Sequence, residues 1–297
     1  VPRTAASGPV AVALGDGTRS AASEDALVVD ASTPVVPAGP VDIEVQRRKV
    51  FYDAERGAEL SYVLGGTEPA TVAVELVRAA DAVVIARWTF PGVVPGIPGT
   101  VSWDGTAGRA VQRDGLYRFR VRAITASGAE ASSPEPAQAA LASEQGAADE
   151  AAEAGAFTFL RHRFPIAGDH TYATGAGMFG GGRGHQGEDV FAECGTPVVA
   201  ARGGTVRFKQ FEARAGNYVV VDGAGTGVDY AYMHLRDPAL VDAGERVRTG
   251  RLIGFVGATG RADGCHLHFE MWSGPGWYRG GAPFDPLPEL KAWDAES

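Results

Sequence analysis

Histidine is distributed unevenly along the chain. All six histidines lie after residue 160, and His162 and His170 occur in no recognisable motif. The other four occur in short motifs: His185, His234, His266 and His268. Histidine titrates near neutral pH and is a common metal ligand. The clustering therefore predicts acid–base or metal chemistry in the C-terminal half, and we expect structural roles for His162 and His170.

Five side chains match the composition of a catalytic zinc site, which takes three ligands from His, Asp or Glu and leaves one position to water. His185, Asp189 and His268 fit that count. His234 and His266 are suited to taking and delivering protons. On a strand, His266 and His268 share one face about 7 Å apart. The spacing also allows both of them to be ligands, and it does not decide between these arrangements.

The segments that contain these residues closely resemble the lysostaphin-type zinc metallopeptidases, which cleave peptides of bacterial peptidoglycan. The resemblance covers about residues 158–290. It runs through 185–189, 195–198, 204–206, 216–219, 232–235, 244–250, 257–260 and 266–270, and it closes with 284–286. The resemblance implies an antiparallel β-sheet domain with an open groove for an extended wall peptide.

The resemblance also implies a role for each residue of the site. His185, Asp189 and His268 match the family's zinc ligands, and one Zn²⁺ per chain is expected. His234 and His266 match the residues that serve the catalytic water and the transition state. Inactive members of the family typically lack one or more of the five, so the complete set indicates an active enzyme.

Two positions depart from the family pattern. Some members place a transition-state-stabilising Tyr before the first ligand, where this chain has Phe179, with Tyr172 further upstream. That role is therefore unassigned. The residue before the His-x-His pair is often Pro in the family but is Cys265 here.

The chain contains two cysteines, Cys194 and Cys265. An even pair in an oxidising compartment favours one disulfide, with two buried thiols as the alternative. Zinc ligation by cysteine is disfavoured because no Cys-x-x-Cys spacing is present. A bridge between them would tie together the two segments that carry the implied ligands.

The second half of the chain has the pattern of a mainly β domain. Short apolar runs are separated by Gly-containing turns. They are 198–200, 205–208, 218–221, 230–233, 252–256 and 267–271. A Gly-rich segment, 175–184, has no strand-to-helix context or Walker lysine, so it is interpreted as a wall of the groove and not as a nucleotide loop.

The first half predicts a β-sandwich. In 116–123, Tyr117, Phe119 and Val121 alternate with three arginines, as in a half-buried antiparallel strand. Short strands about ten residues apart are typical of a sandwich of about 100 residues. The segment from Trp103 to Tyr117, with its Asp-Gly turns at 104–105 and 114–115, weakly resembles immunoglobulin-like or fibronectin-III-like modules of bacterial envelope proteins. This resemblance implies only a fold. The predicted fold class is thus all-β throughout.

Four segments are predicted from these patterns. Residues 1–40 are rich in Ala, Ser, Gly and Pro and are interpreted as a flexible leader. Residues 41–132 form the sandwich, and 133–156 a linker with a short helix near 147–154. Residues 157–297 form the metallopeptidase domain.

Composition excludes several classes of function. The net charge of −9 argues against nucleic-acid binding, which normally requires a basic surface. The sequence contains no apolar run of the roughly 18 residues that a membrane helix needs. We expect a secreted or cell-envelope protein whose signal peptide has been removed. The oligomeric state is open, with a monomer as the expectation.

The sequence therefore predicts a zinc metalloendopeptidase that hydrolyses cross-links or stem peptides of bacterial peptidoglycan through a metal-activated water. A first alternative is a non-cleaving, zinc-containing envelope protein that binds peptidoglycan and activates or positions other hydrolases. A second keeps the enzyme but makes glycine-rich proteins its substrate.

Overall fold

The computed structural model describes residues 8–9, 26–27, 39–133, 155–182 and 184–296. Most of the predicted leader, 1–40, and of the predicted linker, 133–156, lies outside the described residues, as does the predicted short helix near 147–154. Within the leader, strands β1 (Gly8–Pro9) and β2 (Ala26–Leu27) pair antiparallel.

The first half contains eleven further strands among the described residues. They are β3 (Val41–Val45), β4 (Lys49–Phe51), β5 (Ala58–Leu64), β6 (Ala70–Arg78), β7 (Val83–Val93), β8 (Gly99–Trp103), β9 (Thr106–Ala107), β10 (Ala110–Val111), β11 (Gly115–Thr125), β12 (Glu130–Ser133) and β13 (Ala156–Leu160). A six-stranded sheet has the order β4-β13-β11-β6-β7, with β12 also paired to β11, and a three-stranded sheet has the order β3-β5-β8.

These two sheets enclose one hydrophobic core, as the sequence predicted. Tyr117, Phe119 and Val121 of β11 are almost fully buried, whereas the alternating Arg120 and Arg122 are exposed. The period-two burial follows from the pleat of a strand with one face on the core. The predicted β-sandwich is therefore present.

Strand β13 belongs to the first sheet and not to the second domain. Residue 157 was the predicted start of the metallopeptidase domain. In the structure, however, β13 pairs antiparallel with β11 and parallel with β4. Phe157 and Phe159 are buried in the first core and contact Trp103 at ring-centroid distances of 6.0 and 5.0 Å. Because these two side chains are buried in the first core, β13 pairs with strands of the first sheet before the chain enters the second sheet.

The second half adds ten strands and one helix. They are β14 (His170–Tyr172), β15 (Glu188–Ala192), β16 (Pro197–Val199), β17 (Gly204–Glu212), β18 (Gly216–Gly223), β19 (Val228–Leu235), β20 (Arg246–Val247), β21 (Leu252–Phe255), β22 (His266–Ser273), β23 (Pro283–Phe284) and α1 (Leu287–Glu296). A 3-10 turn spans Gly175–Gly177.

An eight-stranded sheet organises this half. Its order is β14-β15-β22-β19-β18-β17-β20, with β23 also paired to β22, and all these pairs are antiparallel. The all-β prediction is confirmed, with α1 as an addition that the sequence analysis did not foresee. One face of the sheet covers the main core of this half, and the other carries the smaller cluster of Tyr218, Val220, Ala231 and Met233.

A turn of the first sandwich contacts a row of arginines in the second half. The Arg202 guanidinium lies 4.1 Å from the Tyr52 ring centroid. Arg246 forms a 3.0 Å ion pair with Asp53, and Arg248 donates a 3.1 Å hydrogen bond to the Ala54 carbonyl. These contacts fix the sandwich against the second sheet.

None of the described helices is long and apolar enough to cross a membrane.

Candidate metal centre and catalytic groove

Two neighbouring strands bring Asp189 and His268 together. In the antiparallel ladder between β15 and β22, Asp189 is directly opposite His268. The His268 Nδ1 lies 2.8 Å from Asp189 Oδ1. Directly opposite side chains on one sheet face have Cβ atoms about 5 Å apart, so the strand register itself sets this contact.

His185 reaches the same carboxylate from the loop before β15. Its Nδ1 donates a 3.1 Å hydrogen bond to the Met178 carbonyl, and its Nε2 lies 3.3 Å from Asp189 Oδ1. A carbonyl oxygen only accepts, so Nδ1 carries a hydrogen, and Nε2 is the nitrogen that faces the carboxylate.

His185, Asp189 and His268 form a group suited to a metal ion. One ligand atom from each lies within 4.8 Å of the others. Two imidazole nitrogens and one carboxylate oxygen are ligands that zinc prefers, and three protein ligands are typical of a catalytic zinc site. The residues present therefore fit a zinc ion, and all three line a groove.

A β-bulge turns His234 toward this group. In regular alternation His234 would point to the main core with Tyr230 and Tyr232. The register between β18 and β19 shifts between Asn217 and Val219, and His234 has a left-handed φ of 61°. A bulge of this kind redirects a side chain at a local conformational cost. Consequently Met233 and His234 both face the groove.

His234 and His266 lie beside the metal-binding group with defined ring orientations. The Nδ1 of His234 donates to the Thr259 carbonyl at 2.8 Å, and the Nδ1 of His266 donates to the Gly264 carbonyl at 3.0 Å. In both rings the hydrogen is thus on Nδ1 and the lone pair on Nε2. The His266 Nε2 is 3.6 Å from Asp189 Oδ1, and the rings of His234 and His266 are 4.7 Å apart.

The surroundings shift the pKa values of several groups. Burial raises the pKa of Asp189, but hydrogen bonds from His185 and His268 outweigh it and hold that pKa far below its usual range. Burial lowers the pKa of His268, whereas its hydrogen bonds with Asp189 and Glu270 raise it to about 9. Burial lowers the pKa of His234 to about 4, which favours its neutral form.

The five residues line a groove of about 1340 Å³. Its lining includes described residues between 173 and 186. Arg214, Arg261, Asp263, Trp277 and Tyr278 also line it. The groove residues all belong to the second half, so no described residue of the first sandwich lines it.

A disulfide joins Cys194 to Cys265, which confirms the predicted bridge. Cys194 follows β15 and Cys265 immediately precedes His266. The bridge therefore connects the ends of the two strands that carry Asp189 and His268.

His162, His170, Tyr172 and Phe179 do not line the groove. His162 stacks on Trp293 at 4.7 Å, and His170 lies 3.1 Å from Asp294, both away from the groove. Tyr172 donates to Asp294 at 3.3 Å and does not line the groove. Nor does Phe179, so among the described residues the groove tyrosines are Tyr218 and Tyr278.

Glu270 also belongs to the site, although it was not among the predicted site residues. Its side chain is buried, and its Oε1 lies 3.0 Å from His268 Nε2. The signal was present, because Glu270 is two residues after His268 and the strand period places both on one face. Thr259 was also missed, since nothing in its loop sequence shows that its carbonyl faces His234.

Residues 183–286 match the family model described as Peptidase family M23. Peptidoglycan DD-endopeptidase ShyC of Vibrio cholerae is 42% identical over 87 residues, covering 29% of this chain and 20% of that protein. DD-carboxypeptidase/endopeptidase Mpg of Neisseria meningitidis is 46% identical over 86 residues, covering 29% and 19%.

The chain is also similar to a third relative, over a longer segment, and to a solved structure. L-Ala--D-Glu endopeptidase of Bacillus subtilis is 33% identical over 146 residues, covering 45% of this chain and 44% of that protein. The catalytic domain of the antimicrobial peptidase lysostaphin from Staphylococcus simulans is 30% identical, covers 41% of this chain and 92% of that domain, and has a TM-score of 0.37. The chain thus covers about a fifth of the first two relatives and less than half of the third. The predicted resemblance is confirmed: residues 183–286 form a Peptidase family M23 domain of the lysostaphin type.

Proposed function

We propose that this chain is a zinc-dependent endopeptidase that hydrolyses cross-links or stem peptides of bacterial peptidoglycan outside the cell or in its envelope. The observation that supports this most strongly is the convergence of four histidines and Asp189 at one groove within the matched family segment. One relative is named a peptidoglycan DD-endopeptidase and another an L-Ala--D-Glu endopeptidase, which supports the same class of substrate.

In this proposal His185 Nε2, Asp189 and His268 Nδ1 hold one zinc ion per chain. Their donor atoms lie within 4.8 Å of one another, which supports a single shared ion. When bound, zinc lowers the pKa of a coordinated water and polarises a carbonyl.

His266 is the proposed general base. Its Nδ1–H is held by the Gly264 carbonyl at 3.0 Å, so Nε2 is the free acceptor and points toward Asp189. A general base must present a lone pair within hydrogen-bond reach of the proton it removes. The attacking water therefore gives its proton to His266 Nε2.

His234 is the proposed proton shuttle to the leaving amine. A neutral ring whose Nδ1–H is committed to Thr259 has no hydrogen on Nε2 with which to stabilise an oxyanion. Burial favours that neutral form, so Nε2 of His234 can accept the second proton of the attacking water and deliver it to the leaving amine, while the proton taken by His266 is released to solvent. This supports the shuttle role over direct oxyanion stabilisation.

The groove suits an extended peptide. Described residues between 173 and 186 line it together with Arg214, and the three residues of the metal-binding group are among its lining residues. No described residue of the first sandwich lines it.

The test is digestion of insoluble, cross-linked peptidoglycan by the purified, metal-analysed protein. Soluble products are identified by mass spectrometry, with His266→Ala as the control. We expect wild type alone to release cleaved peptides, whose masses also name the bond.

Stoichiometric zinc without cleavage of any wall type would contradict this proposal. That outcome would favour the non-cleaving activator. Faster hydrolysis of polyglycine peptides than of cross-linked stem peptides would instead favour glycine-rich proteins as the substrate.

A further inference from the structure

His268 is held at both ring nitrogens. On one side, Nδ1 lies 2.8 Å from Asp189 Oδ1, and on the other, Nε2 lies 3.0 Å from Glu270 Oε1. A carboxylate only accepts hydrogen bonds, so Nε2 carries a hydrogen and donates it to Glu270. The Nδ1 is then the nitrogen that faces Asp189 and His185.

The second oxygen of Glu270 is fixed as well. Its Oε2 accepts hydrogen bonds from the indole Nε1 of Trp272 at 2.7 Å and of Trp277 at 2.8 Å. The Glu270 side chain is only 5% exposed. The three hydrogen bonds explain how a buried carboxylate is tolerated at this position, because buried charges require partners.

The two indoles come from different elements. Trp272 lies on β22, two residues after Glu270 on the same face of the strand. Trp277 lies in the loop after β22 and packs against Tyr218 and Phe208 at 5.3 and 5.6 Å. The carboxylate is thus fixed by its own strand and by the wall of the groove.

We propose that Glu270 is a positioning residue that fixes the tautomer of His268 and makes Nδ1 its metal-binding nitrogen. The inference rests on the proposed function only in taking His268 as a metal ligand. A carboxylate on the outer nitrogen of a ligating histidine also increases the basicity of the ligating nitrogen.

An amide cannot replace this carboxylate. Glutamine has one oxygen and one NH₂ group, so in either orientation its NH₂ faces an N–H donor. It opposes His268 Nε2–H or the two indoles. Glu270→Gln therefore keeps the size of the side chain but leaves a donor unpaired and removes the charge.

The test measures zinc affinity without substrate, by competition with a chromogenic chelator. For Glu270→Gln we expect the apparent dissociation constant to rise about 10- to 100-fold, the range for loss of such partners. Glu289→Gln is the matched control, on α1 and outside the groove, and it should bind zinc like wild type.

A second readout reports the tautomer directly. In long-range ¹H–¹⁵N NMR spectra of the zinc-loaded protein, we expect the hydrogen of His268 on Nε2 in wild type. If Glu270 had only a structural role, a change in zinc affinity on its substitution would not be accompanied by a change in this His268 signal. A Glu270→Gln protein that is folded, binds zinc within twofold of wild type and keeps the signal would overturn the inference.

The tryptophans test the same network if Glu270→Gln does not fold. Trp272→Phe and Trp277→Phe keep an aromatic ring and remove one donor each. We expect each to weaken zinc binding several-fold, and the double variant more. A double variant with wild-type zinc affinity would overturn the inference.

Failure of this inference is distinguishable from failure of the metal site. If His268→Ala binds zinc as wild type does, His268 is not a ligand and the proposed metal site is wrong. If His268→Ala loses zinc while Glu270→Gln retains it, the metal site stands and only the role of Glu270 is wrong.

Discussion

Asp189 and His268 are directly opposite each other in the ladder between β15 and β22, although 79 residues separate them in the chain. Their contact is therefore set by backbone hydrogen bonding and not by flexible side chains. A register shift of one residue would move one of them to the opposite face of the sheet. The strand pairing thus specifies the metal-binding group as firmly as it specifies the core.

The first prediction concerns the ligands. We expect His185→Ala or His268→Ala to lose zinc and hydrolytic activity together, because each removes one of three protein ligands. Zinc content is measured by elemental analysis after dialysis. His170→Ala, which removes a histidine outside the groove, should retain both properties. Stoichiometric zinc in both ligand variants would contradict the assignment.

The second prediction separates binding from catalysis. His266→Ala should keep its zinc and lose about 10²- to 10⁴-fold in hydrolysis rate, the range for general acid–base groups. His234→Ala should behave in the same way. Rates are measured on soluble cross-linked muropeptides, with metal content checked for each preparation. A metal-free His266→Ala protein would show that His266 is a ligand, the arrangement that the sequence spacing left open.

The sequence motifs predicted that His185, Asp189, His266 and His268 lie close together, and the structure places them around one groove. The position of His234 could not be predicted in the same way, because regular alternation along β19 would have buried it in the main core. The bulge that redirects it depends on a backbone pairing with β18 that no local pattern contains.

The boundary between the two halves was predicted less accurately for a similar reason. Phe157 and Phe159 alternate as a strand of either sheet would, and only the shape of the first core selects their partner. Helix α1 was also missed. Its sequence has a single fully buried residue, Leu290, so it lacks the apolar stripe by which helices are recognised.

The third prediction concerns pH and His162. Burial, with the nearby charge of Arg202, lowers the pKa of His162 from 6.5 to about 3. Between these values the unfolded chain binds a proton that the folded protein does not, so stability decreases as pH falls through that window. His162→Phe keeps an aromatic ring against Trp293 and cannot protonate.

We therefore expect urea midpoints of His162→Phe to change less than those of wild type between about pH 7 and about pH 5. Equal changes in both proteins would show that His162 does not contribute to the acid sensitivity. The comparison is made on metal-free protein, so that protonation of the ligands does not release zinc from one sample only.

The fourth prediction concerns the disulfide. Cys194 and Cys265 close a loop with a sequence separation of 71 residues. By the chain-entropy model, such a bridge stabilises the fold by about 4 kcal/mol. The double variant Cys194→Ser/Cys265→Ser should lose about this much in urea unfolding, and reduced wild type should match it. A loss under about 1 kcal/mol would show that the model does not apply to this bridge.

The fifth prediction concerns the contact between the two halves. Arg202 is 2% exposed and donates to the carbonyls of Arg161 and Ala224, both at 2.8 Å, while its guanidinium stacks on Tyr52. Arg202→Ala leaves two partly buried carbonyls without this donor, so we expect a loss of about 2 to 4 kcal/mol in the free energy of unfolding.

Tyr52→Leu is the matched variant, because it removes only the stacking and keeps an apolar side chain at the contact. Its expected cost is smaller, about 1 kcal/mol. Both are measured by urea denaturation with tryptophan fluorescence and far-UV circular dichroism. If Tyr52→Leu costs as much as Arg202→Ala, the stacking between the halves and not the carbonyl bonds within the second half dominates, and the sandwich is an integral part of the stability of the peptidase domain.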